Sequence, residues 1–382
     1  MPTLKQVRTA GFAALAFMAM SALSFAQQAS FPRLNPVPMG PDAPVSVTPG
    51  AFAAPQKTQA VPLTAEERLG LIRAAIKSSG AKWQAGETSV SKLSREEQLH
   101  RVGMNFEKLK ASPVKKAMLD ACAAASLPAT VDWRDVNGND FVTPARDQGN
   151  CGACWSFSMT GGLESYSLIQ GSDPDADINL SEQILISCGG IGSCDGAGGL
   201  NADYLVNTGL PPESYYPYTA SNGSCSGAQS GWQDHTYKIG SWGSVDQSVD
   251  ALKQAVAAYG PIPAGFIVYA DFMNYQSGVY SYTTGEKEGG HAILVVGYSD
   301  EGQYFIVKNS WGADWGENGF FRIAYSQVAD SNVQFGLSAI AYQSGTTGVY
   351  AQGTNYADLL KKSKFDLEAA RKRIKPVINL DN

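Results

Sequence analysis

Three features of this 382-residue chain predict an α+β fold. Helix signals concentrate between residues 64 and 169, while alternating or β-branched runs occupy residues 263–269, 291–298, 304–308 and 320–325. Helices first and strands after is the order of α+β rather than α/β architecture. The third feature is a change of texture at Leu127, beyond which glycine, tyrosine and tryptophan become frequent. No internal repeat accompanies it.

Residues 1–26 read as an export signal: Lys5 and Arg8 are a basic start, and residues 11–25 an apolar run too short to span a bilayer comfortably. Ser24 and Ala26 then place small residues where a signal peptidase reads. An N-terminal membrane anchor is the alternative, disfavoured by the same length. No later apolar run is long enough, so no membrane span is expected in the mature protein. Residues 30–62 are rich in proline and small residues, as in an extended linker. Thr64 to Glu67 is a capping box that opens a helix with Leu69, Ile72 and Ile76 on one face and Gly80 as its stop. Ser94 to Glu97 is a second box, followed by Leu99, Val102, Phe106 and Leu109 at helical spacing. A further helix is expected from Cys154 to about Ile169. Beyond Tyr342, a Gly/Thr-rich joint leads to a basic helix with Leu360, Leu367 and Ile374 seven apart, ended by Pro376. It reads as a docked or solvated surface helix.

The formal net charge of −6 hides an asymmetry. Residues 127–342 carry 7 basic and 23 acidic side chains, residues 27–126 carry 13 and 8, and residues 343–382 carry 7 and 4. An acidic middle argues against nucleic acid, whose phosphates it repels. The basic segment ahead of it is a candidate intramolecular partner, or simply a solvated surface. Six cysteines, at 122, 151, 154, 188, 194 and 225, fit an oxidising, exported context. Histidine occurs only at positions 100, 235 and 291.

Cys154 opens the predicted helix within Gln148-Gly149-Asn150-Cys151-Gly152-Ala153-Cys154-Trp155. The thiolate is the nucleophilic form, and a helix N-terminus together with an imidazolium lowers a cysteine pKa by several units. His291, flanked by glycines at the mouth of an apolar strand, is the candidate imidazole. Asn309, before Ser310, Trp311 and Gly312, can fix the ring by accepting its second N–H. Read alone, Asn309 is equally a turn residue and Gln148 a plain loop glutamine. As a donor to a developing oxyanion, Gln148 contributes roughly 10²–10³ in rate.

Cys151-Gly152-Ala153-Cys154-Trp155 matches the local signature of papain and cathepsin cysteine proteases. Further motifs follow in order: Val131-Asp132-Trp133-Arg134, Leu180-Ser181-Glu182-Gln183 with Cys188, Glu213 to Tyr218 with its Tyr216-Pro217-Tyr218 turn, and Asn309-Ser310-Trp311-Gly312 with Trp315-Gly316-Glu317. Residues 127–342 therefore resemble the papain family of cysteine peptidases over nearly their whole length. The resemblance implies a helical left lobe, a β-barrel-like right lobe and a cleft between them, split near residue 235. It implies Cys154 as nucleophile, His291 as base and acid, Asn309 as imidazole orienter, and Gln148 with the Cys154 N–H as oxyanion hole. Disulfides Cys151–Cys194 and Cys188–Cys225 are implied too; spacing alone leaves three pairings open. Gly152, Gly198, Gly199, Leu200, Gly290, Ala292 and Trp311 take substrate-binding roles by the same resemblance. Leu200, Gly265, Ala292 and Ile340 map to a pocket for an apolar side chain two residues before the scissile bond (P2). Residues 81–111 resemble the inhibitory prosegment of the cathepsin L-like branch.

The chain departs from the pattern in places. Six residues, Cys194 to Gly199, replace a tighter glycine pair, Gly290 stands where the family has asparagine or aspartate, and no cysteine remains for a third disulfide. No histidine-bearing insertion is visible, which favours endopeptidase action. Rival readings are a thiol–disulfide oxidoreductase, a structural zinc site and a pseudopeptidase used as a binding module. The first lacks a βαβ setting and the second a well-spaced second ligand pair; the third conflicts with a complete catalytic set. The expectation is an exported, monomeric zymogen: signal 1–26, linker and prosegment 27–126, catalytic domain 127–342 and tail 343–382. It needs no cofactor or metal, and its partners are peptide or protein substrates and its own prosegment. Acid is expected to loosen that prosegment by protonating the carboxylates that hold it.

Overall fold

The computed structural model describes residues 63–106, 127–344 and 356. The expected signal, the Pro-rich linker, Cys122, Leu109 and the helix around Leu367 lie outside them.

An N-terminal module contributes α1 (Ala65–Ser79), β1 (Lys82–Ala85) and α2 (Arg95–Leu99). The Thr64 hydroxyl accepts from the Glu67 N–H, and the Glu67 carboxylate accepts from the Thr64 N–H at 2.7 Å. Gly80 closes α1 in the left-handed region at φ 70°. The second capping box also forms, but α2 stops at Leu99. The helical spacing through Val102 and Phe106 is therefore not one helix, for a steric and a polar reason. At Gly103 the chain enters a slot so narrow that an added Cβ would lie 1.9 Å from the Gly152 carbonyl oxygen. A helix about 10 Å across does not fit there. The backbone donors that a helix would use internally go sideways instead. Met104 N–H donates to the Gly290 carbonyl and Asn105 N–H to the Ala197 carbonyl, both at 2.9 Å.

The larger body opens with β2 (Thr130–Asp132), followed by α3 (Cys154–Gly171), α4 (Glu182–Cys188), the short pair β3 (Gly192–Ser193) and β4 (Gly196–Ala197), and α5 (Asp203–Asn207). Next come β5 (Ser241–Ser244), α6 (Val249–Tyr259), β6 (Ile262–Tyr269), β7 (Tyr275–Tyr280) and β8 (Lys287–Ser299). The chain ends this body with β9 (Tyr304–Lys308), β10 (Phe320–Ala324), α7 (Ser326–Ala329) and β11 (Ile340–Gln343). The main sheet runs β1-β7-β10-β9-β8-β2, with β6 also paired to β8, and it curls into a half-barrel.

Two hydrophobic cores result, one per lobe. The sheet lobe is packed with Phe266, Phe272, Tyr275, Phe305, Phe321 and Trp315. The helical lobe is packed with Trp155, Met159, Leu163, Ile184 and Leu185. Helix α3 is buried nearly all round, as a central helix should be. The lobes exchange their ends, so the boundary near residue 235 is crossed twice. Trp133 joins the sheet core because β2 pairs with β8, and Tyr342 joins the helical core because β11 pairs with β5. Among the described residues no helix is long and apolar enough to cross a membrane.

The N-terminal module is anchored by one side chain above all. Strand β1 adds antiparallel to β7, and Trp83 is 3% exposed, its ring centroid 5.2 Å from that of Tyr280 and 6.2 Å from that of Tyr275. Truncating a buried tryptophan costs about 3–5 kcal/mol. Trp83→Ala is therefore expected to lower the opening free energy of the Lys82–Ala85 amides by about that amount in native-state hydrogen exchange. A change below about 0.5 kcal/mol, the size of a surface substitution, would place the anchor elsewhere.

Candidate active site

Cys154 begins α3, whose first turn has no side-chain cap. The free N–H groups and the positive end of the helix dipole thus face the sulfur. Across the cleft, strand β8 brings His291 opposite, and the next residue, Ala292, donates its N–H to Cys154 Sγ at 3.4 Å. On neighbouring β9 and just beyond it lie Lys308 and Asn309. His291 Nε2 and Asn309 Oδ1 are 2.7 Å apart. An amide oxygen only accepts, so Nε2 carries the hydrogen and Nδ1 is left with its lone pair. Nδ1 is buried and has no partner among the described residues. The Trp311 ring packs at 4.8 Å from the His291 ring and keeps water from the His291–Asn309 bond.

Gln148 is clamped from both ends of its amide. Its Oε1 accepts from Ser310 Oγ at 2.7 Å, and its Nε2 donates to the Cys151 carbonyl at 2.9 Å and to the His100 carbonyl at 3.5 Å. Disulfide Cys151–Cys194 ties this loop to β3–β4, where Gly152 N–H donates to the Cys194 carbonyl at 2.8 Å. Cys188–Cys225 is the second disulfide, and Cys154 is the free cysteine among the described residues.

Residues 101–106 fill the cleft. Trp311 Nε1–H donates to the Arg101 carbonyl at 3.1 Å. Met104 bridges the lobes, pairing with Ala197 on one wall and Gly290 on the other. The residue that pairs on the helical wall is Ala197, which also donates its N–H to the Gly103 carbonyl at 2.8 Å. Gly198 and Gly199, expected in that role, take no part in this pairing among the described residues. Phe106 sits where a Cβ on Gly265 would come within 2.6 Å of its ring and one on Gly290 within 2.5 Å. It packs on the core cluster that includes Leu200, Ala292 and Ile340. Outside the cleft, Arg95 pairs with Glu286 and Glu288, and Arg101 with Asp147.

Cys154, His291 and Asn309 are thereby all buried. Burial pushes the Cys154 thiol up to about 11, against the pull of backbone N–H donors. Burial likewise pushes His291 down to about 4, against its bond to Asn309. Burial of the site thus favours the neutral thiol and the neutral imidazole over their charged forms.

Beneath it lies a buried polar network that the sequence reading missed. Lys308 Nζ donates to Thr143 Oγ1 at 2.9 Å, the Thr143 hydroxyl donates to Glu164, and Glu164 Oε1 accepts from the Leu180 N–H at 3.0 Å. Burial raises the Glu164 carboxyl and lowers the Lys308 ammonium, each opposed by the other's charge. The signal was present: Glu164 is the one charged residue within α3.

The sequence profile described as papain family cysteine protease matches residues 127–341. The chain is 36% identical over 264 residues to Cathepsin B-like CP3 of Giardia intestinalis, covering 65% of this chain and 86% of that one. It is 42% identical over 209 residues to a Cathepsin L-like proteinase of Fasciola hepatica, covering 52% of this chain and 61% of the other. The solved structure of digestive procathepsin L 3 from Tenebrio molitor larval midgut superposes with a TM-score of 0.58 at 27% identity, over 73% of this chain and 88% of that one. A cysteine at an uncapped helix start, an imidazole held by an asparagine and a profile match across the whole larger body agree: this chain belongs to the papain family of cysteine proteases.

Proposed function

We propose that the chain is the exported zymogen of an endopeptidase, kept latent by residues 63–106 and selective for a large apolar side chain at P2. The observation that carries the proposal is that Gly103 and Met104 cross the site, Gly103 against Gly152 and Met104 hydrogen-bonded to Gly290, the residue before His291. With the segment gone, water enters and the thiol proton passes to His291 Nδ1, giving thiolate and imidazolium. The thiolate attacks the peptide carbonyl, and imidazolium protonates the leaving amine. Water activated by the same ring then hydrolyses the acyl-enzyme. Departure of His100 also frees one N–H of Gln148, the other staying on Cys151. That freed donor and the Cys154 N–H are the oxyanion hole, while Ala197 and Gly290 offer main-chain pairing to substrate. Incubating the full-length chain with a thiol-directed epoxide at acid pH tests this: labelling on Cys154, a new N-terminus near Leu127 and peptide hydrolysis absent in Cys154→Ala are expected. Processing without need of Cys154 would leave a binding module instead.

The charge pairs expected between the basic segment and the acidic body are present, but Glu288 opposes acid release. Burial raises its carboxyl in the closed state despite Arg95, so protonating it favours closure. His291 acts the other way. Its closed-state value of about 4 lies below the ordinary 6.5, so where no thiol supplies the proton, opening takes one up from solution and is favoured as pH falls from about 6.5 to about 4. In a Cys154→Ala background, detachment of the segment followed by Trp83 fluorescence is expected to rise over that window. The rise should vanish in Cys154→Ala/His291→Gln; an identical acid profile in both would assign the trigger to other groups.

Phe106 supports the preference for a large apolar side chain, because its ring lies where Gly265 and Gly290 leave room for it. Gly265→Val is expected to lower kcat/KM for a phenylalanine at P2 by about tenfold or more while sparing alanine there. Equal losses on both substrates would remove Gly265 from the specificity pocket.

A further inference from the structure

The second place where the N-terminal module meets the body is built differently from the cleft. Strand β1 adds to β7 in the register Lys82 to Val279, Trp83 to Gly278 and Gln84 to Ser277. Just beyond, Gly86 N–H donates to the Asn274 carbonyl at 2.9 Å, Asn274 Nδ2–H donates to the Gly86 carbonyl at 2.8 Å, and Thr88 Oγ1–H donates to the Met273 carbonyl at 2.6 Å. These contacts read an extended main chain. The one large side chain they read is Trp83, whose Nε1–H finds no acceptor among the described residues. The slot recognises an aromatic ring and not its polar atom. Gly278, at φ 96°, permits the approach, since a Cβ there would lie 2.5 Å from the Lys82 carbonyl oxygen and 2.7 Å from Trp83 Cα.

The slot is braced from the body's side alone. Tyr280 OH donates to buried Asp271 at 2.8 Å, and Asp271 accepts from the Thr283 N–H at 2.8 Å. Tyr275 OH donates to the Gly278 carbonyl at 2.7 Å and accepts from the Arg322 N–H at 3.2 Å. Gly278 N–H donates to Glu317 at 2.9 Å, and Glu317 pairs with Arg322 at 2.6 Å. No residue of 63–106 takes part in these bonds, so they outlast its departure. What departure exposes is a β-edge with an aromatic slot and, across Tyr275-Gln276-Ser277-Gly278-Val279-Tyr280, neither charge nor proline. Proteins ordinarily blunt such an edge with lysine, proline or a bulge; here the pairing is interrupted at Gln276, where Gln84 faces Ser277 and Ala85 faces Tyr275, and runs regularly along Ser277 to Val279 beside Trp83.

We propose that the freed β7 edge is an exosite of the activated enzyme. It takes an extended segment of a protein substrate by strand addition, with a large aromatic side chain in the Trp83 slot. The proposal rests on the peptidase reading above. Engagement there raises the local concentration of the rest of the substrate chain and lowers KM for proteins, leaving short peptides unaffected.

The probe is a synthetic peptide of residues 80–89, added to enzyme activated from the full-length chain. It is expected to raise KM for unfolded casein at least about threefold with kcat unchanged, and to leave kcat/KM for a dipeptide fluorogenic substrate as it was. The same peptide carrying Trp83→Ala is expected to be at least about tenfold weaker. Gly278→Ala enzyme should have a raised KM for casein and ignore the peptide; should that variant fail to fold, the pair of peptides decides. Equal inhibition of casein and dipeptide cleavage, or no effect on either, overturns the exosite. Absence of any dipeptide turnover removes the peptidase reading itself, and this proposal with it.

Discussion

The spacing between α3 and β8 is the constraint on which the cleft depends, because it sets Cys154 against His291. Several contacts fix it at once. Ser158 Oγ donates to the Ile293 carbonyl at 2.7 Å, and Gly161 and Gly162 let Leu294, Pro263 and Tyr342 close on the helix. The Lys308–Thr143–Glu164 network adds a polar clamp that joins the strand before Asn309 to the helix after Cys154. Removing one partner of such a buried pair typically costs about 3–5 kcal/mol, because the other charge is left uncompensated. The clamp therefore holds one geometry strongly, whatever its net contribution to stability.

The inserted chain acts on the solvation of the site, where Cys154 and His291 are fully buried. With the inserted chain seated, His291 and Asn309 are hydrogen-bonded at 2.7 Å. The segment removes water from the thiol and the imidazole, and both then favour their neutral forms. The helix N-terminus that stabilises a thiolate is still present, but desolvation outweighs it. The same insertion takes up one N–H of Gln148, at the His100 carbonyl. Gly290, which departs from the family pattern, has a reason here: a side chain would strike the Met104 carbonyl oxygen and the Phe106 ring.

Much of this was legible along the chain. Both capping boxes, the Gly80 stop, the start of α3 and the core strands could be read because each depends on neighbours within a few residues. The early stop of α2 could not, since the periodicity of Val102 and Phe106 is truly helical, and only the narrow slot and its backbone acceptors on distant segments forbid a helix. That Ala197 pairs with the inserted chain could not be read either, because the pairing joins segments more than ninety residues apart. The crossing of Trp133 and Tyr342 between lobes was equally hidden, being decided by sheet edges distant in sequence.

Residue order alone determined the family, singled out Cys154, His291, Asn309 and Gln148 as candidates, and set the division into a basic N-terminal part and an acidic body. Those are properties of local motifs, of their succession and of composition, and they survive without coordinates. Tertiary structure decided the rest: which wall residue pairs with the inserted chain, what Phe106 packs against, that burial disfavours the charged forms of Cys154 and His291, and that Trp83 seats against Tyr275 and Tyr280. Each of these depends on distances between segments far apart in the chain, and on the water that those distances exclude.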